Sequence, residues 1–110
     1  MKIIDTIPPK VSTTTPTNLK IGVSRTSTIA IKFSENINYS TYFKNIIIKN
    51  MSTGKTLALS KSISGTTLNI KTSTRTANTW YLVIIPKAAI KDMAGNNLAA
   101  NYTFKFKTGA

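Results

Sequence analysis

Asp5, Glu35 and Asp92 are all the carboxylates in this 110-residue chain, which has neither histidine nor cysteine. Losing histidine removes the commonest general base and the commonest metal ligand. Losing cysteine removes disulfides, thiolate nucleophiles and thiolate metal sites. Serine and threonine are abundant, but lysine would have to activate them as nucleophiles. Paired carboxylates for glycoside cleavage would have to come from three acids scattered along the chain. Asp92 and Asn96 bracket Gly95 in a spacing that could offer oxygens to calcium. Calcium, however, wants about six to eight oxygens and several carboxylates. A simpler role for Asp92 is to cap its turn through backbone N–H groups while Gly95 takes a left-handed conformation. A self-made Lys–Asn isopeptide bond would need a lysine, an asparagine and a buried acid together, and Lys32, Asn101 and Glu35 are the one set to consider. We expect no catalytic residue, no metal and no cofactor.

The elements that would position these residues are all of one kind. The chain is rich in threonine, serine, asparagine and isoleucine, and Glu35 is its single glutamate. Threonine and isoleucine are stiff at the first side-chain torsion and suit the pleated, half-buried surface of a strand. The length allows one domain, and 41% hydrophobic residues supply enough apolar surface for one core.

Period-2 alternation is clearest over Thr28–Phe33, with Ile29, Ile31 and Phe33 on one face. Turn signals then recur every eight to twelve residues or so, as in a sandwich or barrel. Strands are expected over 10–15, 28–33, 46–49, 56–60, 67–71, 79–85 and 102–107. Gly22–Arg25 reads as a loop, and residues 87–97 as one helical turn followed by a tight loop around Gly95. Residues 1–7 read as a linker or edge segment, with Pro8 and Pro9 stiffening the way into a domain over 8–110. Seven strands in about a hundred residues favour an all-β, immunoglobulin-like Greek-key β-sandwich over a closed barrel. Its core would hold Ile29, Ile31, Phe33, Ile46, Ile48, Leu68, Ile70, Tyr81, Val83, Ile85, Phe104 and Phe106.

The order and spacing of several motifs resemble the bacterial and archaeal Ig-like modules of S-layer and adhesin-like surface proteins. Pro8-Pro9-Lys10-Val11 leads to Thr15-Pro16-Thr17-Asn18, and Ile29-Ala30-Ile31-Lys32-Phe33-Ser34-Glu35 is similar to a family strand ending in Phe-Ser-Glu. Tyr81-Leu82-Val83-Ile84-Ile85-Pro86 is similar to a Tyr-x-Val-x-Ile-Pro strand. Asp92-Met93-Ala94-Gly95-Asn96, followed by Tyr102-Thr103-Phe104-Lys105-Phe106, is similar to the family's Asp-x-x-Gly-Asn turn and closing strand. The likeness spans residues 8 to 108. It implies tandem stalk modules on a cell surface, with no active site.

The chain departs from that pattern at one place. The outward positions of the Tyr-x-Val-x-Ile strand are commonly polar in such modules, yet here they are Trp80, Leu82 and Ile84. Ile47 falls on the outward face of the neighbouring strand. Contiguous exposed apolar patches usually mark interfaces. Ile47, Trp80, Leu82 and Ile84 are therefore candidate interface residues for a homodimer or a neighbouring Ig-like module. The competing expectation is that an N-terminal segment carrying Ile3, Ile4 and Ile7 folds over them.

Fifteen basic against three acidic residues give a net charge of +12. Weak, salt-sensitive attraction to polyanions follows. Lys105 and Lys107 interleave with Phe104 and Phe106, but the phenylalanines should be core and unable to stack on bases, so specific nucleic-acid recognition is not expected. No apolar run is long enough for membrane insertion. Asn38, Asn50 and Asn101 head Asn-x-Ser/Thr sequons, compatible with an exported surface protein. Two functions remain in view: a structural spacer within a larger extracellular protein, and a module that binds an anionic surface polymer or a protein partner.

Overall fold

The computed structural model describes residues 7–110, so expectations placed on residues 1–6, Ile3 and Ile4 among them, lie outside the described residues. Nine strands follow in order: β1 (Val11–Thr15), β2 (Ile29–Phe33), β3 (Ile37–Tyr39), β4 (Ile47–Asn50), β5 (Leu59–Ser64), β6 (Thr67–Thr72), β7 (Trp80–Ile85), β8 (Ile90–Asp92) and β9 (Tyr102–Lys107). Short 3-10 turns occupy Phe43–Asn45 and Lys87–Ala89.

One sheet has the order β1-β2-β6-β5 and the other β4-β7-β9, every pair antiparallel. Seven strands split four and three in this order form the immunoglobulin sandwich of the constant type. β3 and β8 form a separate two-stranded ribbon. The chain also changes sheets early. After β1 it crosses a cis Thr15–Pro16 peptide and runs beside β9, where Leu19 N–H donates to Lys105 O at 2.7 Å and Val23 N–H to Lys107 O at 3.1 Å.

Alternation builds the interior. All twelve side chains expected in the core are buried, at most 2% exposed. Burying each such aliphatic or aromatic group contributes about 1.5–3 kcal/mol. Tyr81 and Phe106 stack with ring centroids 5.9 Å apart. The Tyr81 hydroxyl accepts the Thr76 N–H at 2.7 Å, the corner bond that ties the start of this strand to the chain just before it.

Differences from the sequence reading have local causes. The expected strand at 56–60 is instead β5, Leu59–Ser64, and Thr56 forms only an isolated bridge to Lys49. The hairpin sets this register: Gly65, the first of two loop residues, has φ +60, as a tight hairpin turn requires. Val23, expected in a loop, is buried and pairs with Thr108 in parallel. The stretch after the helical turn at Lys87–Ala89 contains β8, and Ile37, Ala89, Ile90 and Leu98 extend the core under the ribbon.

Candidate functional site

Strand register assembles the outward face of the three-stranded sheet. With Tyr81, Val83 and Ile85 buried, β7 must turn Trp80, Leu82 and Ile84 outward, and all three are half-buried. Ile47 of β4 lies opposite Ile84 and is likewise half-buried. The four expected interface residues thus share one face, with the apolar line running along β7.

By sequence alone the flanks of that line are only solvated lysines. Lys49 of β4 and Lys105 of β9 both lie opposite Leu82, one on each side, and Lys107 lies opposite Trp80. The Lys105 ammonium stands 5.5 Å from the centre of the Trp80 ring, within cation–π range. Lysine stems cover apolar surface while their charged ends stay wet, so Lys49, Lys105 and Lys107 help to keep this apolar line half-buried. Alternation in 104–107 holds the signal: each buried phenylalanine puts a lysine beside the apolar line. Ile7, the one described member of the segment expected to fold over this face, is 66% exposed.

The other outward face is of different character. On the four-stranded sheet, register sets Thr13, Lys32, Thr67 and Ser64 in one row and Thr15, Ala30, Asn69 and Ser62 in the next. Small hydroxyl and amide side chains dominate it.

Asp92 is buried and turned into its own loop. One carboxylate oxygen accepts the N–H groups of Ala94 at 2.9 Å and Asn96 at 2.8 Å, and the other accepts the Asn96 amide at 3.0 Å. Gly95 takes φ +94. Those bonds commit the carboxylate to the turn. Among the described residues no group of three or more acidic, histidine or cysteine side chains is gathered for a metal. Lys32, on β2, and Asn101, in the loop before β9, are both exposed, and the Asn101 side-chain oxygen accepts the Lys87 N–H at 2.9 Å. The isopeptide set is therefore not assembled in a buried site. Phe104 and Phe106 are buried and offer no ring for a base. Of the three sequons, Asn50 is buried and its side-chain oxygen accepts the N–H groups of Ser52 and Thr53, whereas Asn101 is exposed.

Composition gives no hint of Arg75, which is buried between the loop before β2 and the β6–β7 connection. Its guanidinium donates to the Ser24 carbonyl at 2.7 Å, the Ser27 carbonyl at 3.0 Å and the Thr72 hydroxyl at 2.9 Å, and lies 5.5 Å from the Phe106 ring centre. Burial pulls its pKa below the ordinary arginine value, with Tyr81 acting in the opposite direction. This is structural work: one cation pins two loops at the end of the core.

A family model described as a bacterial Ig-like domain matches residues 5–108. The chain belongs to the bacterial Ig-like domain family. A search of curated protein sequences finds no significant match. Among solved structures, this Ig-like domain is similar to CopC from Methylosinus trichosporium OB3b, with a TM-score of 0.69, 15% identity, and 92% of this chain and 93% of that one covered. At that identity the likeness shows the sandwich fold alone. No helix among the described residues of the Ig-like domain is long and apolar enough to cross a membrane.

Proposed function

We propose that this Ig-like domain is a non-catalytic structural module of an exported cell-surface protein of the adhesin or S-layer kind, serving as a spacer that gives reach and stiffness. One observation carries the reading: the space between the sheets is filled by aliphatic and aromatic side chains, and the buried polar side chains Asp92 and Arg75 hold loops. The depression lined by Pro9, Val11, Leu98 and Tyr102 has no carboxylate in its lining, nor has that lined by Thr15, Pro16, Lys20 and Ser24. Asp92 serves its turn and Arg75 its two loops. Membership of the bacterial Ig-like family supports the setting.

The test is retention of the isolated domain on cell-wall polymer across a salt titration. A spacer of charge +12 is held weakly and released evenly as salt rises. Retention that survives molar salt, or turnover of a chromogenic ester or glycoside by the purified domain, would overturn the reading.

A further inference from the structure

We propose that the outward face of β4-β7-β9 docks an acidic amphipathic segment of a partner protein, one whose apolar stripe is bordered on both sides by carboxylates. This goes beyond the spacer reading and stands or falls separately from it.

The shape of the face comes first. Trp80, Leu82 and Ile84 stand two residues apart, so at about 3.4 Å per residue their line is roughly 14 Å long. Ile47 widens it at the Ile84 end. Neighbouring strands lie about 4.8 Å apart, which places Lys49 on one flank and Lys105 and Lys107 on the other. An apolar line of that length between two cationic borders matches one side of an amphipathic helix of three turns or so, with aliphatic residues on the contact line and glutamates beside it.

Charge selects this occupant over the alternatives. No outward position of the three strands is acidic, and the two described carboxylates, Glu35 and Asp92, lie in the β2–β3 connection and the β8 turn. A second copy would set lysine against lysine across the contact, a juxtaposition that disfavours pairing. Polysaccharide recognition wants open aromatic faces, but three of the four apolar side chains here are aliphatic and the Trp80 ring carries the Lys105 ammonium. An anionic bilayer would be gripped by side chains that reach into its acyl region. These four are half-buried between neighbouring side chains and have little to insert. An acidic protein segment alone satisfies both the aliphatic line and its cationic borders.

Trp80 is the only tryptophan and lies within the face, so its fluorescence reports occupancy directly. The probe is a 15-residue helix-forming peptide with leucines spaced along one side and glutamates flanking them. The control peptide carries lysine in place of each glutamate. The glutamate peptide should bind saturably, change the Trp80 emission and lose affinity as salt rises, while the lysine peptide should not bind. Leu82→Thr with Ile84→Thr, and separately Lys49→Gln with Lys105→Gln, should each weaken binding about tenfold or more. Lys32→Gln with Lys71→Gln, which removes the same charge from the opposite sheet, should leave it within about twofold. Circular dichroism confirms that each variant is folded.

Absence of saturable binding, equal binding of both peptides, or equal loss in the Lys32/Lys71 variant would overturn the proposal. So would sedimentation showing a dimer that Leu82→Thr with Ile84→Thr dissolves, or binding of phosphatidylserine vesicles lost in the same variant. Tighter peptide binding after Ile3→Ser with Ile4→Ser would make the chain's own N-terminal residues the occupant, and would also overturn it.

Discussion

The Tyr81 hydroxyl accepts the backbone N–H of Thr76 across 2.7 Å while its ring stacks on Phe106. One side chain thus fills the core and satisfies a backbone donor in the β6–β7 connection. Tyr81→Phe keeps the ring and strands the Thr76 amide. Chemical denaturation should show a loss of about 1–2 kcal/mol, with the far-ultraviolet spectrum unchanged. A loss below a few tenths would mean water replaces the hydroxyl at no cost.

Arg75 should matter as much to stability, for a different reason. Its Nη2 donates to the carbonyls of Ser24 and Ser27 and its Nη1 to the Thr72 hydroxyl, whereas its Nε has no hydrogen-bond partner, the single such buried side-chain atom among the described residues. Arg75→Met retains the apolar stem and removes the donors. We expect a loss of about 2–3 kcal/mol by urea titration, with faster amide exchange in residues 24–27. Higher stability in the variant would show that the desolvation cost of the buried charge outweighs its bonds.

Lys61 gives a pH dependence of definite sign. It lies on the edge strand β5, opposite Ile70, with its ammonium donating to the Phe43 carbonyl at 2.9 Å and standing 4.8 Å from the Phe43 ring centre. Burial lowers its pKa from the ordinary value of 10.5. In the window just below 10.5 the unfolded chain therefore binds more protons than the native one, so this group makes stability rise with pH there. Compared with Lys61→Met, the native sequence should gain stability as pH climbs from 8 towards about 10.5. A difference that stays flat, or moves the other way, would contradict the placement of the amine.

Asp92→Ala removes an acceptor from the Ala94 and Asn96 amides and from the Asn96 side chain. Bonds to a charged acceptor are worth about 1.5–3 kcal/mol each in net terms, and because water can reach the amides of this turn in the variant, a total loss of about 3 kcal/mol is expected by thermal or urea unfolding. The unaltered domain should melt at the same temperature with calcium or with chelator, since its carboxylate oxygens already hold the turn. A calcium-dependent rise in melting temperature would reverse that assignment.

Alternation makes much of this fold legible in the sequence. Ile29-Ala30-Ile31-Lys32-Phe33 and Tyr102–Lys107 announce their faces residue by residue, and with them the core and the outward line of β7. The β3–β8 ribbon is not legible, because three residues per strand are too few to show a period. Val23 escapes notice because its parallel pairing with Thr108 depends on the chain returning from 85 residues away, which no local pattern records. The lysine borders are visible as residues but not as borders. Only pairing across β4, β7 and β9 puts Lys49 and Lys105 on either side of Leu82. Arg75 gives no signal, because an isolated arginine in a polar stretch reads as solvent-facing.

The run from Leu19 to Val23 lies parallel to β9, so the early and late parts of the chain meet edge to edge. Traction applied at opposite ends of the domain would slide those two segments past each other, and the bonds from Leu19 to Lys105, Lys107 to Lys20, Val23 to Lys107 and Gly109 to Val23 would bear it together instead of opening in turn. Rupture then demands a concerted break, and resistance to stretching becomes a property of the kinetic barrier to unfolding more than of equilibrium stability. The four bonds would then yield as one unit, set by the path of the chain at its two ends.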